Sequence, residues 1–220
     1  MNGNDGRLGL RRRRLLRLGT VAAPALLASC ATLPRPGPPP RVFRLTPKTT
    51  FPEGLAAVEW SLAVSEPLAE RALDTDRIAF VRDGTEIAYF ADAVWSDRVP
   101  GLIQILLVQS FLASGAIAAV GTDRDPLRPD YLLRSVLTAF QVRETAARQR
   151  MATVSLTATL LRMPRRRVVA VERFAAEYAI AARRMEAVVE AFDEALGKVL
   201  KRVVLWTLHV GEADHLRASG

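Results

Sequence analysis

The chain has 220 residues, 50% of them hydrophobic and 25% charged, which supports a packed core, excludes wholesale disorder and suits one domain plus extras. Its single cysteine excludes an internal disulfide and a cysteine-anchored zinc cluster. The net charge is +8, but six arginines against Asp5 put +5 into the first 29 residues, leaving 25 basic and 22 acidic groups, +3, beyond them. No aromatic residues interleave that basic run to stack bases, which argues against a nucleic-acid partner.

The first 29 residues read as an export signal. "RRRRLLR" is a positive n-region, and residues 18–29, "LGTVAAPALLAS", are an apolar core too short for the roughly 20 residues that span a bilayer. Pro24 interrupts that core and opposes a stable membrane helix. It ends on Leu27-Ala28-Ser29-Cys30: an aliphatic residue, two small residues, then cysteine, the order of a bacterial lipobox. The small residues admit a signal peptidase, and the Cys30 thiol is the expected acceptor for lipid. No aspartate follows Cys30, which points to the outer membrane and a periplasm-facing domain rather than inner-membrane retention. The arginine run leaves the export route, general secretory or twin-arginine, open.

Residues 30–41 hold prolines at 34, 36, 38, 39 and 40. Such a run favours extended polyproline II at about 3.1 Å per residue, so eleven residues reach about 34 Å. This is read as a tether, with a single domain over 42–208 and a tail over 209–220.

In the domain, "VFRL" is a short strand and "AAVEWSLAV" a second, ended by Pro67. "RIAFVRDGTEIAYF" places two apolar runs around Asp83-Gly84, the pair that suits a tight hairpin. "SDRVPGLIQILLVQSFLASG" predicts a helix capped by Ser96 or Asp97, with Pro100 in its first turn and Gly115 at its end. Leu102, Ile103, Ile105, Leu106, Leu107, Val108, Phe111 and Leu112 cover nearly its whole circumference. A helix apolar all round is buried on several sides or touches lipid or a partner; burial is the favoured reading. "AIAAVG" is a short strand, and "YLLRSVLTAFQVRE" and "RQRMATVSLTATLLRM" are two long ones. In the second, Ala152 to Leu160 alternates with threonine and serine, as in a half-buried antiparallel strand. "PRRR" turns into the strand "VVAVERFAAEYA". From about Arg183 to Trp206, apolar residues at helical spacing predict a surface helix with Glu194 and Lys198 paired at i,i+4. The fold class is α/β: one mixed, largely antiparallel sheet with two main helices packed on it.

No phosphate-binding glycine loop, dinucleotide fingerprint or H-E-x-x-H occurs. His209 and His215 fall past the expected end of the last helix, poorly placed for a hydrolytic triad. Asp74 with Asp76, and Asp123, Asp125 and Asp130, are interleaved with Arg77, Arg124 and Arg128, which favours loop caps and ion pairs over a cation site. The reading is therefore of a non-enzyme without metal or cofactor. A periplasmic hydrolase would need Asp74 or Asp125 for activity.

The lipobox is followed in order by "FRLTP", "LDTDRIAF", "IAYFADAVWSDRVPGLIQILLVQSFLASG", "DYLLRSVLTAFQV" and "AFDEALGKVLKRVVLW". Together, over about residues 42–206, they resemble the ABC-type transport auxiliary lipoproteins, the family that includes the paraquat-inducible lipoprotein. The resemblance implies a lipid-anchored periplasmic α/β domain without enzymatic activity. It works with an ATPase, a permease and an MCE-domain substrate-binding protein that move lipid between the two membranes, as a docking or end-cap subunit. The family's tyrosine- and tryptophan-containing stretch maps to Tyr89, Trp95 and Pro100, with Phe90 in place of a second tyrosine. Tyr89, Trp95, Leu102, Leu106 and Phe111 are the candidates for contact with a partner or lipid. Direct phospholipid binding and homo-oligomerisation are left open. The alternative is a structural or assembly lipoprotein that supports an outer-membrane barrel or binds peptidoglycan.

Overall fold

The computed structural model describes residues 38–219 apart from Asp83; Cys30 and the expected signal peptide lie outside the described residues. The chain forms β1 (Arg41–Phe43), β2 (Leu62–Val64), β3 (Leu68–Ala69), β4 (Arg77–Arg82), β5 (Glu86–Trp95), α1 (Val99–Ala113), β6 (Val120–Thr122), β7 (Tyr131–Glu144), β8 (Arg150–Arg162), β9 (Arg167–Ala179) and α2 (Met185–Ser219). β1 takes the last residue of the expected tether.

The nine strands make one mixed sheet organised on β7. One side of β7 is antiparallel to β8 along its whole length, and β8 pairs on to β9. The other side accepts three short parallel strands in succession: β2 at its start, β3 in the middle and β4 at its end. β5 pairs antiparallel with β4, β1 lies parallel to β5, and β6 parallel to β2. The long antiparallel ladders thus come from consecutive strands joined by tight turns, the cheapest pairings in loop entropy.

Both helices contribute to one core with the sheet. Leu133, Leu137, Phe140 and Val142 of β7 and Ala152, Val154, Leu156, Ala158 and Leu160 of β8 share a core with Val188, Phe192, Leu196, Val199 and Val203 of α2, all buried. The other face of the β7–β9 ladders mixes polar side chains with the exposed valines Val136, Val168 and Val171. It carries the ion pair Arg143–Glu177 at 2.6 Å and the bond from Thr138 Oγ1 to Ser155 Oγ at 3.0 Å. It also holds a small apolar cluster of Ala63, Leu132, Leu161 and Met163. The alternation of β8 is thus the division between core and solvent.

The structure corrects two details of the helices. α1 has Arg98, not Ser96 or Asp97, as its N-cap, without a side-chain cap bond. Asp97 Oδ1 instead accepts the Arg98 amide at 2.6 Å, one residue too early to cap. Gly115, at φ +66° just past the helix, fills the expected stop. α2 runs through Ser219, beyond Trp206 and through the expected tail. Its inward stripe continues as Thr207, Leu208, Gly211 and Asp214, all buried, so the last turns are held by tertiary contact.

The topology gives the domain two distinct ends. At the upper end lie the β4–β5 turn, the β7–β8 turn and the β9–α2 link, and just below them Glu186 in the first turn of α2 pairs with Arg41 of β1. At the lower end lie the β8–β9 turn, the start of β7 and the end of α2, where Arg162 and Arg167 meet Asp214.

Candidate functional site

The acidic loops do structural work. Asp74 pairs with Arg98, whose guanidinium also reaches Glu66 at 3.2 Å. Asp125 Oδ2 accepts the Thr122 amide at 2.6 Å, closing the loop after β6. Asp130 Oδ2 accepts both the amide and the hydroxyl of Ser61 at 2.8 Å, fixing β2 against the start of β7. Asp123 accepts from Gln104 of α1 at 3.2 Å. Every carboxylate that bonds here is committed to a neighbouring amide, hydroxyl or guanidinium. Among the described residues no three histidine, cysteine or acidic side chains group as metal ligands.

Trp95, Leu102, Leu106 and Phe111, put forward by the sequence as contact candidates, all lie in the core. Trp95 stands edge-on to Phe140 and Phe192, with centroids 5.8 and 5.2 Å away. Tyr89 is half-buried; its hydroxyl donates to the Ala72 carbonyl at 3.1 Å and the Arg77 guanidinium lies 4.0 Å over its ring. The solvent-facing residues of α1 are instead Ile105 and Leu112, 45% and 53% exposed, together with Gln109 and Ala113. Helical periodicity could not separate the two faces, because large apolar residues lie on both and the polar Gln104 and Ser110 are on the buried one.

The C-terminal third of α2 organises what the sequence did not reveal. Asp214, on a buried face, accepts from Tyr131 at 3.1 Å, Arg162 at 3.3 Å and Arg167 at 2.6 Å. Two residues earlier on the helix, Glu212 accepts from Trp60 Nε1 at 3.0 Å, and Trp60 packs edge-on to Tyr131. Burial raises the Tyr131 hydroxyl, and the Asp214 carboxylate beside it adds to the effect, bringing it to about 12. Beside this latch, Leu55, Val58, Leu205, Leu208 and Leu216 line a mainly apolar groove of about 380 Å³, with His209 and Glu212 at its polar wall. These groups can hold a helix in place or accept an apolar side chain.

Residues 43–204 match the family described as ABC-type transport auxiliary lipoprotein component. The chain belongs to that family. Protein XCC0632 from Xanthomonas campestris has the same architecture: its crystal structure superposes with a TM-score of 0.76 at 30% identity, over 80% of this chain and 99% of that one. A second crystal structure, at 13% identity, shares the fold with a TM-score of 0.59 over 76% of this chain and 97% of its own. A Bradyrhizobium diazoefficiens protein is 30% identical over 148 residues, 67% of this chain. The matched part of the auxiliary lipoprotein chain covers 39% of that curated relative, less than half its length. The family description makes the chain a transport auxiliary component and a lipoprotein, hence membrane-anchored in the cell envelope. No helix among the described residues is long and apolar enough to cross a membrane.

Proposed function

We propose that this chain is lipidated on Cys30, held by its acyl chains at the periplasmic face of the outer membrane, and serves an ABC-type, MCE-linked lipid transport system as a non-enzymatic docking or end-cap subunit. The observation that carries the reading is the order of two signals: Leu27-Ala28-Ser29-Cys30 stands just upstream of a family match over residues 43–204. Each buried CH₂ contributes about 0.8 kcal/mol and stable anchoring takes about two chains, so the acyl groups of a bacterial lipoprotein suffice. The proline-rich segment sets the standoff, and the domain offers its surface to the partner that bridges the periplasm.

Intact-mass spectrometry on protein from the native host should show a chain beginning at Cys30, heavier by its acyl groups. Affinity purification of the full chain should bring down a permease, an ATPase and an MCE-domain protein. An unacylated product would overturn the anchor, whereas recovery of an outer-membrane barrel or cell-wall fragments instead would assign the assembly role.

A further inference from the structure

We propose that β9 is a self-association edge: two copies of this chain pair their β9 strands antiparallel about a two-fold axis at Ala175, so that one sheet runs through both. The inference stands apart from lipidation at Cys30 and from the transport partners.

β9 has 13 residues, and among the described residues only β8 pairs with it. Ile180 donates its amide to the Arg150 carbonyl at 2.9 Å, which sets the phase of the β8–β9 ladder. The even-numbered residues from Ala170 to Tyr178 therefore bond inward. The amides and carbonyls of Val171, Arg173, Ala175, Glu177 and Ala179 point to the open edge. In keeping with that direction, the Ala175 carbonyl accepts from Arg202 Nη1 at 3.0 Å, and the oxygen keeps a second lone pair. Val168, Val171 and Tyr178 are all exposed. A long edge carrying exposed apolar side chains is a template for a further strand.

Charge selects both the occupant and the register. An axis through Ala175 sets Arg173 opposite Glu177 of the second copy, and Glu177 opposite that copy's Arg173, with Val171 facing Ala179. Both charges have capacity left. Arg173 pairs with no carboxylate among the described residues; its Nε donates to Ser155 Oγ at 3.3 Å. Glu177 takes Arg143 and Thr153 on Oε1, at 2.6 and 3.3 Å, and leaves Oε2 open. On the helix side of the sheet the same register puts Glu172, without an ion pair among the described residues, opposite Tyr178 of the second copy. Lys198 Nζ lies 4.7 Å over the Tyr178 ring, so a second cation meets a second acid. Moving the axis to Arg173 or to Glu177 would set like charges face to face, which destabilises a strand pair. The registers between set both charges against alanine or valine. Other open edges fit worse. β1 and β6 have three residues each. The part of β5 that β1 leaves uncovered, Glu86 to Asp92, carries two acids and no cation, so a copy paired there finds no opposite charge.

The test uses the full chain in its host. Directly opposite residues of such a bonded pair stand about 5.5 Å apart at Cα, within the range a disulfide spans. Ala175→Cys should give a disulfide-linked dimer on mild oxidation. Thr157→Cys, on the neighbouring β8, should give no more than the background of the parent chain, whose only cysteine is Cys30. In the Ala175→Cys chain, Arg173→Glu should cut the linked fraction roughly fivefold or more, and adding Glu177→Arg should restore it. Thermal unfolding checks each variant. If Ala175→Cys does not fold, Val171→Cys and Ala179→Cys on two differently tagged copies replace it and should link to each other. A folded variant that forms no dimer, an equal yield from Thr157→Cys, or a reversed charge pair that fails to restore the yield would overturn the proposal. So would a product joining Ala175→Cys to a different protein, which would assign this edge to another partner's strand. Acylation and recovery of transport subunits are read separately, so a monomeric chain refutes this edge and leaves the anchor standing.

Discussion

The indole of Trp60 occupies the space that a Cβ on Gly211 would fill: its Cζ2 lies 2.6 Å from that position. A glycine inside a helix normally weakens it by up to about 1 kcal/mol relative to alanine. Here the glycine is the condition for burying Trp60 against α2. Gly211→Ala should therefore reverse the usual sign and destabilise by about 1–3 kcal/mol, the range for overpacking a core. Gly197, on the same helix, meets nothing closer than Lys48 Cδ at 3.8 Å. Gly197→Ala should stabilise by about 0.5–1 kcal/mol. Urea unfolding of the two variants checks the contrast.

Asp214 gives the lower end a defined response to acid. Burial alone would raise its carboxyl, but hydrogen bonds from Arg167 and Tyr131 and the charges of Arg167 and Arg162 together hold it below its ordinary value. A lowered carboxyl contributes stability that is present above the unfolded pKa, about 3.9, and is lost as pH falls through the folded value. Asp214→Asn should lower stability at pH 7 by about 2–3 kcal/mol. That is less than for a fully buried pair, because Arg162 and Arg167 keep 30% and 56% of their side chains exposed. It should also flatten the loss of stability below about pH 4. Tyr131 acts with the opposite sense. Raised to about 12, it holds its contribution below the unfolded pKa of about 10 and loses it as pH rises through the folded value. Tyr131→Phe should remove that alkaline loss. Denaturation midpoints across the pH range read both.

The strands from Tyr131 to Ala179 were legible because their alternation and turns are local, and the buried helix was legible from its apolar content. What escaped the sequence is non-local. Gly211 and Asp214 read as the end of a helical stripe, and only Trp60 on one side and Arg162 with Arg167 on the other explain why they are buried. The parallel docking of β2, β3 and β4 along one side of β7 leaves no periodic trace, since each contributes three paired residues or fewer. For the site, the lipobox is readable without a structure. The groove beside Asp214 is not, because Leu55 and Val58 meet Leu205, Leu208 and Leu216 only when the chain before β2 folds against α2.

Trp95 Nε1 is buried with no hydrogen-bond partner among the described residues, inside the cluster it forms with Phe140 and Phe192. An unmet buried donor costs about 1–3 kcal/mol, so Trp95 holds its place by packing alone. Trp95→Phe removes the donor together with part of the ring, and these effects oppose each other. The change should fall within about 1 kcal/mol of neutral, while Trp95→Ala, which only empties the space, should cost about 3–5 kcal/mol. Equal large losses in both would show that shape, not the donor, governs the position.

The two faces of α1 separate folding from contact. Phe111 is fully buried, whereas Leu112 beside it and Ile105 two turns back are exposed. Phe111→Ala should cost about 3–5 kcal/mol through the cavity it leaves. Ile105→Ser with Leu112→Ser should change stability by no more than about 0.5 kcal/mol for each site, as is usual at the surface. A double variant that folds normally but recovers less permease, ATPase or MCE-domain protein from its host would place partner contact on this stripe. A matching yield would leave α1 as a core helix whose outer residues are scattered surface hydrophobics, common in folded proteins. Because the inner face reports only on unfolding and the outer only on recovery, the pair of measurements assigns the helix without ambiguity between the two roles.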